Sequence, residues 1–157
     1  MKPTSFLSNA TPENSRAIPG ALFHFLATGE QANHQYSLIY IEVYKGNEPP
    51  AHTHKHEDEA YYILEGNLKF WIGDEMYEAK AGDFIFLPRN IPHKFELLSD
   101  RVKELMWLTP AGLDKWFWDN SAPSPDMKPL PVSTEPPPKE MMEHFIQSLS
   151  TYGVEMV

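Results

Sequence analysis

The chain has 157 residues, no cysteine and a formal net charge of −9, a size that suits one domain with a packed core rather than two. The acidic balance repels phosphate backbones and anionic lipid, and no cluster of Lys or Arg offsets it, so neither nucleic-acid nor membrane partners are expected. Without cysteine there are no disulfides and no thiolate metal sites, which leaves imidazole and carboxylate as the ligands open to a metal.

Residues 1–20 are rich in Ser, Thr, Asn and Pro and read as an arm that is either free or lays an edge strand on the body. They contain no apolar core of the signal-peptide kind, and no later stretch is apolar enough to span a bilayer, so a cytoplasmic protein is expected. Residues 21–109 alternate short apolar or aromatic runs with turn residues, the pattern of an all-β sandwich or barrel rather than of βαβ units. The strand candidates are 21–27, 36–44, 60–65, 68–72, 83–88, 93–98 and 102–108. Gly66-Asn67, Gly73-Asp74, Gly82-Asp83 and Arg89-Asn90 supply the small or left-handed-tolerant residues that short connections need. Beyond them, Thr109 followed by Pro110 at a first helical position predicts a short helix, whose aromatic residues would cap the barrel. Residues 119–139 are too dense in proline for a helix or a central strand and read as a surface strap. Over 139–151, Met142, Phe145, Ile146 and Leu149 form an apolar stripe on a helix that Gly153 ends. The expected organisation is an N-terminal arm (1–20), a β-barrel (21–109), and a C-terminal part (110–157) of short helix, strap and helix packed on the barrel.

The chemistry concentrates around residues 52–93. Side chains two apart on a strand point the same way, so His52 and His54 present imidazoles to one face. The charged run Lys55 to Glu59 breaks that strand, and re-entry of the chain near Glu59 returns a carboxylate to the same face. His93 follows a turn, where a neighbouring antiparallel strand would begin, and becomes the fourth ligand. Three neutral imidazoles and one carboxylate suit one divalent transition ion (Ni, Fe, Mn, Co, Cu or Zn) and poorly suit Ca or Mg, which prefer oxygen shells. His56 reads as a loop residue, and His24, His34 and His144 as structural or surface residues. Tyr61 and Ile63 share the alternation of Glu59 and are candidates to line a pocket, with Phe84, Phe86 and Phe95 as candidate walls. Tyr40, Tyr44, Tyr62, Trp71 and Trp107 suggest an apolar outer face that a homodimer, or the arm and the C-terminal helix, would cover.

These residues resemble the cupin superfamily, through Gly46-(x)5-His52-x-His54-(x)4-Glu59-(x)6-Gly66 and Gly82-(x)5-Pro88-x-Asn90-(x)2-His93. Asn90 stands where the family pattern has Gly, and Leu97 where it has Asn; neither touches the ligands, and Asn tolerates the left-handed conformation. The resemblance implies a double-stranded β-helix, the cupin jelly-roll barrel, with a metal at its mouth. The layout of the C-terminal part is similar to that of single-domain cupins related to quercetin 2,3-dioxygenase. That likeness implies a metal-dependent dioxygenase acting on a small aromatic or enolic substrate, with Glu59 as both ligand and general base. The alternatives are a metal-dependent isomerase or decarboxylase of a small oxo acid, and a non-catalytic small-molecule-binding cupin.

Overall fold

A computed structural model describes residues 4–132 and 138–157; residues 133–137 of the expected strap and the first three of the arm lie outside the described residues. In chain order the strands are β1 (Ser15–Ile18), β2 (Ala21–Ala27), β3 (Ser37–Tyr44), β4 (His52–His54), β5 (Asp58–Glu65), β6 (Asn67–Ile72), β7 (Glu75–Lys80), β8 (Phe84–Leu87), β9 (His93–Leu97) and β10 (Arg101–Thr109). Helix α1 (Leu113–Asp119), β11 (Ala122–Pro123), α2 (Lys139–Ser150) and β12 (Val154–Met156) follow. Two antiparallel sheets result, one ordered β11-β1-β2-β3-β10-β5-β8 and the other β12-β4-β9-β6-β7. Facing each other, they make the all-β jelly-roll barrel that the sequence predicts.

Alternation fills the space between the sheets. Ile39, Ile41 and Val43 of β3, Val102, Met106 and Leu108 of β10, and Leu68 and Phe70 of β6 all point inward and are buried. At the centre Tyr61, Phe70 and Phe95 pack with ring centroids 5.6–5.9 Å apart. A fully buried ring of this kind contributes roughly 1.5–3 kcal/mol. Turn chemistry fixes the connections. Asn90 adopts φ 63°, the left-handed conformation expected of it, and a Cβ on Gly66 would stand 2.6 Å from the Arg101 carbonyl, so only glycine fits where β5 turns into β6.

Several elements differ from expectation. The arm takes one of its two expected courses and lays a strand on the barrel, though not at the edge: β1 pairs with β2 along four residues and with β11 on its other side. Strand β7 was not among the candidates; it is an edge strand on which only Ala79 is buried, so it carries no alternation to read. The short helix starts at Leu113 rather than after Thr109. Thr109 remains in the β10 ladder opposite Asp58, and the helix entrance is tied instead by Asp114, whose carboxylate accepts from the amides of Gly112 (3.0 Å) and Gly29 (2.8 Å). On α2 the apolar stripe is only partly covered. Leu149 is buried, but Met142, Phe145 and Ile146 remain about 40% exposed, and contact with α1 runs through Phe145 on Trp116 and the Trp116 indole N–H donating to Ser148 Oγ (2.9 Å). After Gly153 the chain returns as β12, too short a strand to show a period.

Candidate metal centre

The ligand candidates are assembled by strand register. His52 on β4 stands directly opposite His93 on β9, and β12 covers the other edge of β4, pairing Val154 with His54 and Met156 with His52. The chain leaves β4 after His54 and re-enters the sheets at Asp58, so that Glu59 faces inward. Asp58 locks this re-entry: its carboxylate accepts from the Arg89 guanidinium at 3.0 and 2.8 Å and from the Arg89 amide at 2.9 Å. That bidentate pair ties the loop carrying Glu59 to the turn before His93, and it holds the Asp58 carboxyl below its ordinary value.

One ligand atom from each of His52, His54, Glu59 and His93 lies within 4.8 Å of the others. The imidazole centroids are 4.6–5.2 Å apart. His52 Nδ1 lies 2.8 Å from the Pro50 carbonyl and His93 Nδ1 3.0 Å from the Ile91 carbonyl. A carbonyl only accepts, so each Nδ1 carries the proton and each Nε2 presents a lone pair to the centre. Among the described residues, Nε2 of both His54 and His93 is buried without a hydrogen-bond partner, and His93 Nε2 faces Glu59 Oε2 at 3.4 Å. Acceptors turned towards one another inside a protein require positive charge between them, and this donor set fits a divalent transition ion.

The electrostatics agree. Burial pushes His54 down to about 4 and lowers His52, so both imidazoles are neutral at neutral pH, the form that ligates. Burial also opposes ionisation of Glu59, but positive charge at the cluster, whether a proton on an imidazole such as His93 or an ion among the rings, outweighs it and holds the carboxyl below its ordinary value. His56, two residues past His54, is exposed and packs its ring beside Gly153, outside the cluster.

The cluster opens on a cavity of about 280 Å³ between the sheets. Its lining is largely apolar, with Phe95 and Met106 on the barrel side and Leu113 and Trp116 of α1 and Leu149 of α2 at the closing end. Tyr61 lines it as expected. Phe84 and Phe86 do not: they are 61% and 49% exposed, because on β8 the inward positions belong to Ile85 and Leu87. Two buried acids near the cluster escaped the sequence reading. Glu104 lines the cavity from β10, and its signal was present in the alternation Val102, Glu104, Met106, Leu108, where a carboxyl occupies a core position. Glu57 is buried beside His54, with Oε2 3.9 Å from His54 Nδ1; in the sequence it is one acid in a charged run.

Residues 39–109 match the family model described as "Cupin domain". Over 106 residues, 67% of this chain, the sequence is 27% identical to quercetin 2,3-dioxygenase of Bacillus subtilis (strain 168), of which the match covers 32%; the chain thus spans about a third of that relative's length. Among solved structures, the barrel is similar to an RmlC-like cupin from Shewanella frigidimarina NCIMB 400, with TM-score 0.60 and 20% identity over 73% of this chain and 99% of that one. It is also similar to KdgF from Halomonas sp., with TM-score 0.59 and 18% identity over 71% of this chain and 99% of that one. At these identities the structural likeness speaks for the fold.

Proposed function

From the premise that this chain is a cupin superfamily protein, we propose that it is a metal-dependent enzyme acting on a small aromatic or enolic substrate, with a quercetinase-like dioxygenase as the leading form. The observation that carries the reading is the convergence of His52, His54, Glu59 and His93, with unpartnered imidazole nitrogens, at an apolar cavity. Those four residues would hold the ion. Bound there, a divalent transition ion supplies Lewis acidity towards an enol or phenol oxygen.

The chain's own residues supply the rest. Glu59 is ionised at neutral pH and faces the cavity, placed to accept the hydroxyl proton of a substrate seated among the imidazoles. Tyr61 stays a neutral hydrogen-bond donor, since burial and the neighbouring carboxylate of Glu59 raise its phenol well above the ordinary value. Phe95, Met106, Leu113 and Trp116 give the substrate an apolar bed and exclude water from it. The distant likeness to quercetin 2,3-dioxygenase supports oxygen chemistry on such a substrate.

The modest cavity volume favours a second reading, isomerisation or decarboxylation of a smaller enolisable acid without oxygen. Metal analysis of the purified protein, followed by oxygen uptake with and without 3-hydroxyflavone, tests both. Stoichiometric transition metal and flavonol-dependent oxygen consumption are expected; metal without oxygen uptake would select the second reading, and failure to take up any transition metal would overturn both.

A further inference from the structure

The cavity contains a carboxyl that the reading above leaves unused. Glu104 is 1% exposed, and its Oε2 has no hydrogen-bond partner among the described residues. It lines the same cavity as His52, His54 and Glu59, yet stands at a different height in the barrel. Along β10 it faces Ile63 of β5, whereas Glu59 faces Leu108, four residues further on. At Glu104 the β5–β10 ladder slips: Lys103 pairs with Glu65 and Glu104 with Ile63, leaving Leu64 as the extra residue. A bulge of this kind re-aims side chains, and such bulges concentrate beside functional sites. The neighbouring Lys103 points to the outside, where its ammonium pairs with Glu65 at 2.8 Å, so it offers Glu104 no countercharge.

An unpartnered carboxyl in an apolar cavity wall is unfavourable for folding, and a ligand entering the cavity can supply the partner it lacks. We propose that Glu104 is a ligand-anchoring residue, its carboxyl donating a hydrogen bond to an acceptor oxygen at one end of a small aromatic ligand whose other oxygens lie among His52, His54, Glu59 and His93. This rests on the metal-centre reading for the second half of the ligand only. Burial and the charge of Glu59 push Glu104 up to about 8, so at neutral pH it carries the proton it would donate. Four residues of strand separate the two heights by about 13 Å at the backbone. Less the reach of the two side chains, that leaves room for one or two rings with oxygen functions at opposite ends.

The test uses two catechols that differ by one group, 4-acetylcatechol with a carbonyl and 4-ethylcatechol with a methylene in its place. Their affinities are measured by anaerobic calorimetry on zinc-loaded and on chelator-stripped protein, for the wild type, Glu104→Gln and Glu104→Leu. The acetyl group also changes catechol acidity, but that effect is common to every variant and cancels when preferences are compared. Relative to Glu104→Leu, the wild type is expected to prefer the acetyl compound by about tenfold, the worth of one buried hydrogen bond. Glu104→Gln, which still donates, should keep part of the preference. Stripping zinc should weaken both compounds together and leave the preference in place, so the preference reports on Glu104 and the absolute affinity on the metal. A protein that takes up no zinc would overturn the metal reading while the preference still decides Glu104. Equal preference in wild type and Glu104→Leu, or no binding of either catechol to the wild type, would overturn the proposal. Should Glu104→Leu fail to fold, difference infrared spectra of the wild type decide: the protonated carboxyl band absent from Glu104→Gln must shift when the acetyl compound binds and stay put with the ethyl compound.

Discussion

The two heights of the barrel cavity each bury a carboxyl, and the surroundings drive them in opposite directions. Glu59 sits among three imidazoles and is held ionised in spite of burial. Glu104, on the strand next to it, is buried in the cavity wall within the field of Glu59, and is kept protonated. The same side chain thus becomes an acceptor at one height and a donor at the other. What separates them is the register of β5 against β10, which puts Glu59 within reach of β4 and β9, where the histidines stand. A cavity with an acceptor and a donor at different heights can orient an apolar ligand that has oxygen at both ends.

The largest expected effect comes from the imidazole side. His52→Ala and His93→Ala should each lower transition-metal affinity by at least about a hundredfold, read by metal analysis after dialysis against a weak chelator. Unchanged metal content in both variants would dissolve the contrast, because nothing would then distinguish the surroundings of Glu59. Next in size is Glu59→Gln, which keeps an oxygen ligand but removes the base: much of the metal should remain while turnover falls by about 10²- to 10⁴-fold. Full turnover with bound metal would reduce Glu59 to a ligand.

The other carboxyl gives a smaller effect, of defined sign. As pH rises, the unfolded chain loses its Glu104 proton near the ordinary 4.5, whereas the folded chain keeps it to about 8. Folded protein therefore binds more protons across that window, and stability must fall as pH rises through it and level off above 8. His54, shifted from 6.5 down to about 4, gives the opposite slope below 6.5. From 6.5 to 8 the other contribution of the same sign is that of Glu57, pushed up to about 7 by burial, and comparison with Glu104→Gln, which keeps Glu57, cancels it. Chelator-treated wild type should lose stability there relative to Glu104→Gln by an amount on the order of 1–3 kcal/mol, read by urea melts at several pH values. Parallel curves for the two proteins would mean that Glu104 is ionised and that the two heights are not opposites.

The sequence displays the two heights unequally. The histidines were legible because strand periodicity puts His52 and His54 on one face, and because fixed spacings tie them to Glu59 and His93. The barrel was legible for a related reason: strands with one buried face show their alternation. Glu104 lies in just such an alternation, but one strand does not reveal what faces it across the barrel, so the sequence alone does not mark it as a site residue. Glu57 was hidden differently, in a run of acids that reads as a solvated loop until folding buries one of them. Strand β12, which backs His52 and His54, could not be read at all, because three residues carry no period and their pairing with β4 spans about a hundred residues of chain.

Glu57 supplies the finest test of the ionised side. Two of the three imidazoles are oriented by carbonyls two residues earlier, Pro50 for His52 and Ile91 for His93. Among the described residues His54 Nδ1 has no hydrogen-bond partner, and the buried Glu57 Oε2, also unpartnered there, is 3.9 Å away. An ångström of approach would join them, making a carboxylate the orienting group of one imidazole where carbonyls serve the others. Burial pushes Glu57 up to about 7, so above that pH it is an anionic acceptor that raises the donor strength of the imidazole it binds, and there Glu57→Leu should weaken metal binding by about tenfold. Glu57→Gln, still an acceptor, should lose less. The nitrogen chemical shifts of His54 should report the change of partner while those of His52 and His93 stay put. If Glu57→Leu bound metal as tightly as the wild type with His54 unshifted, the His54 ring would be held by its neighbours His52 and His93 alone, and the imidazole side of the cavity would need no carboxylate beyond Glu59.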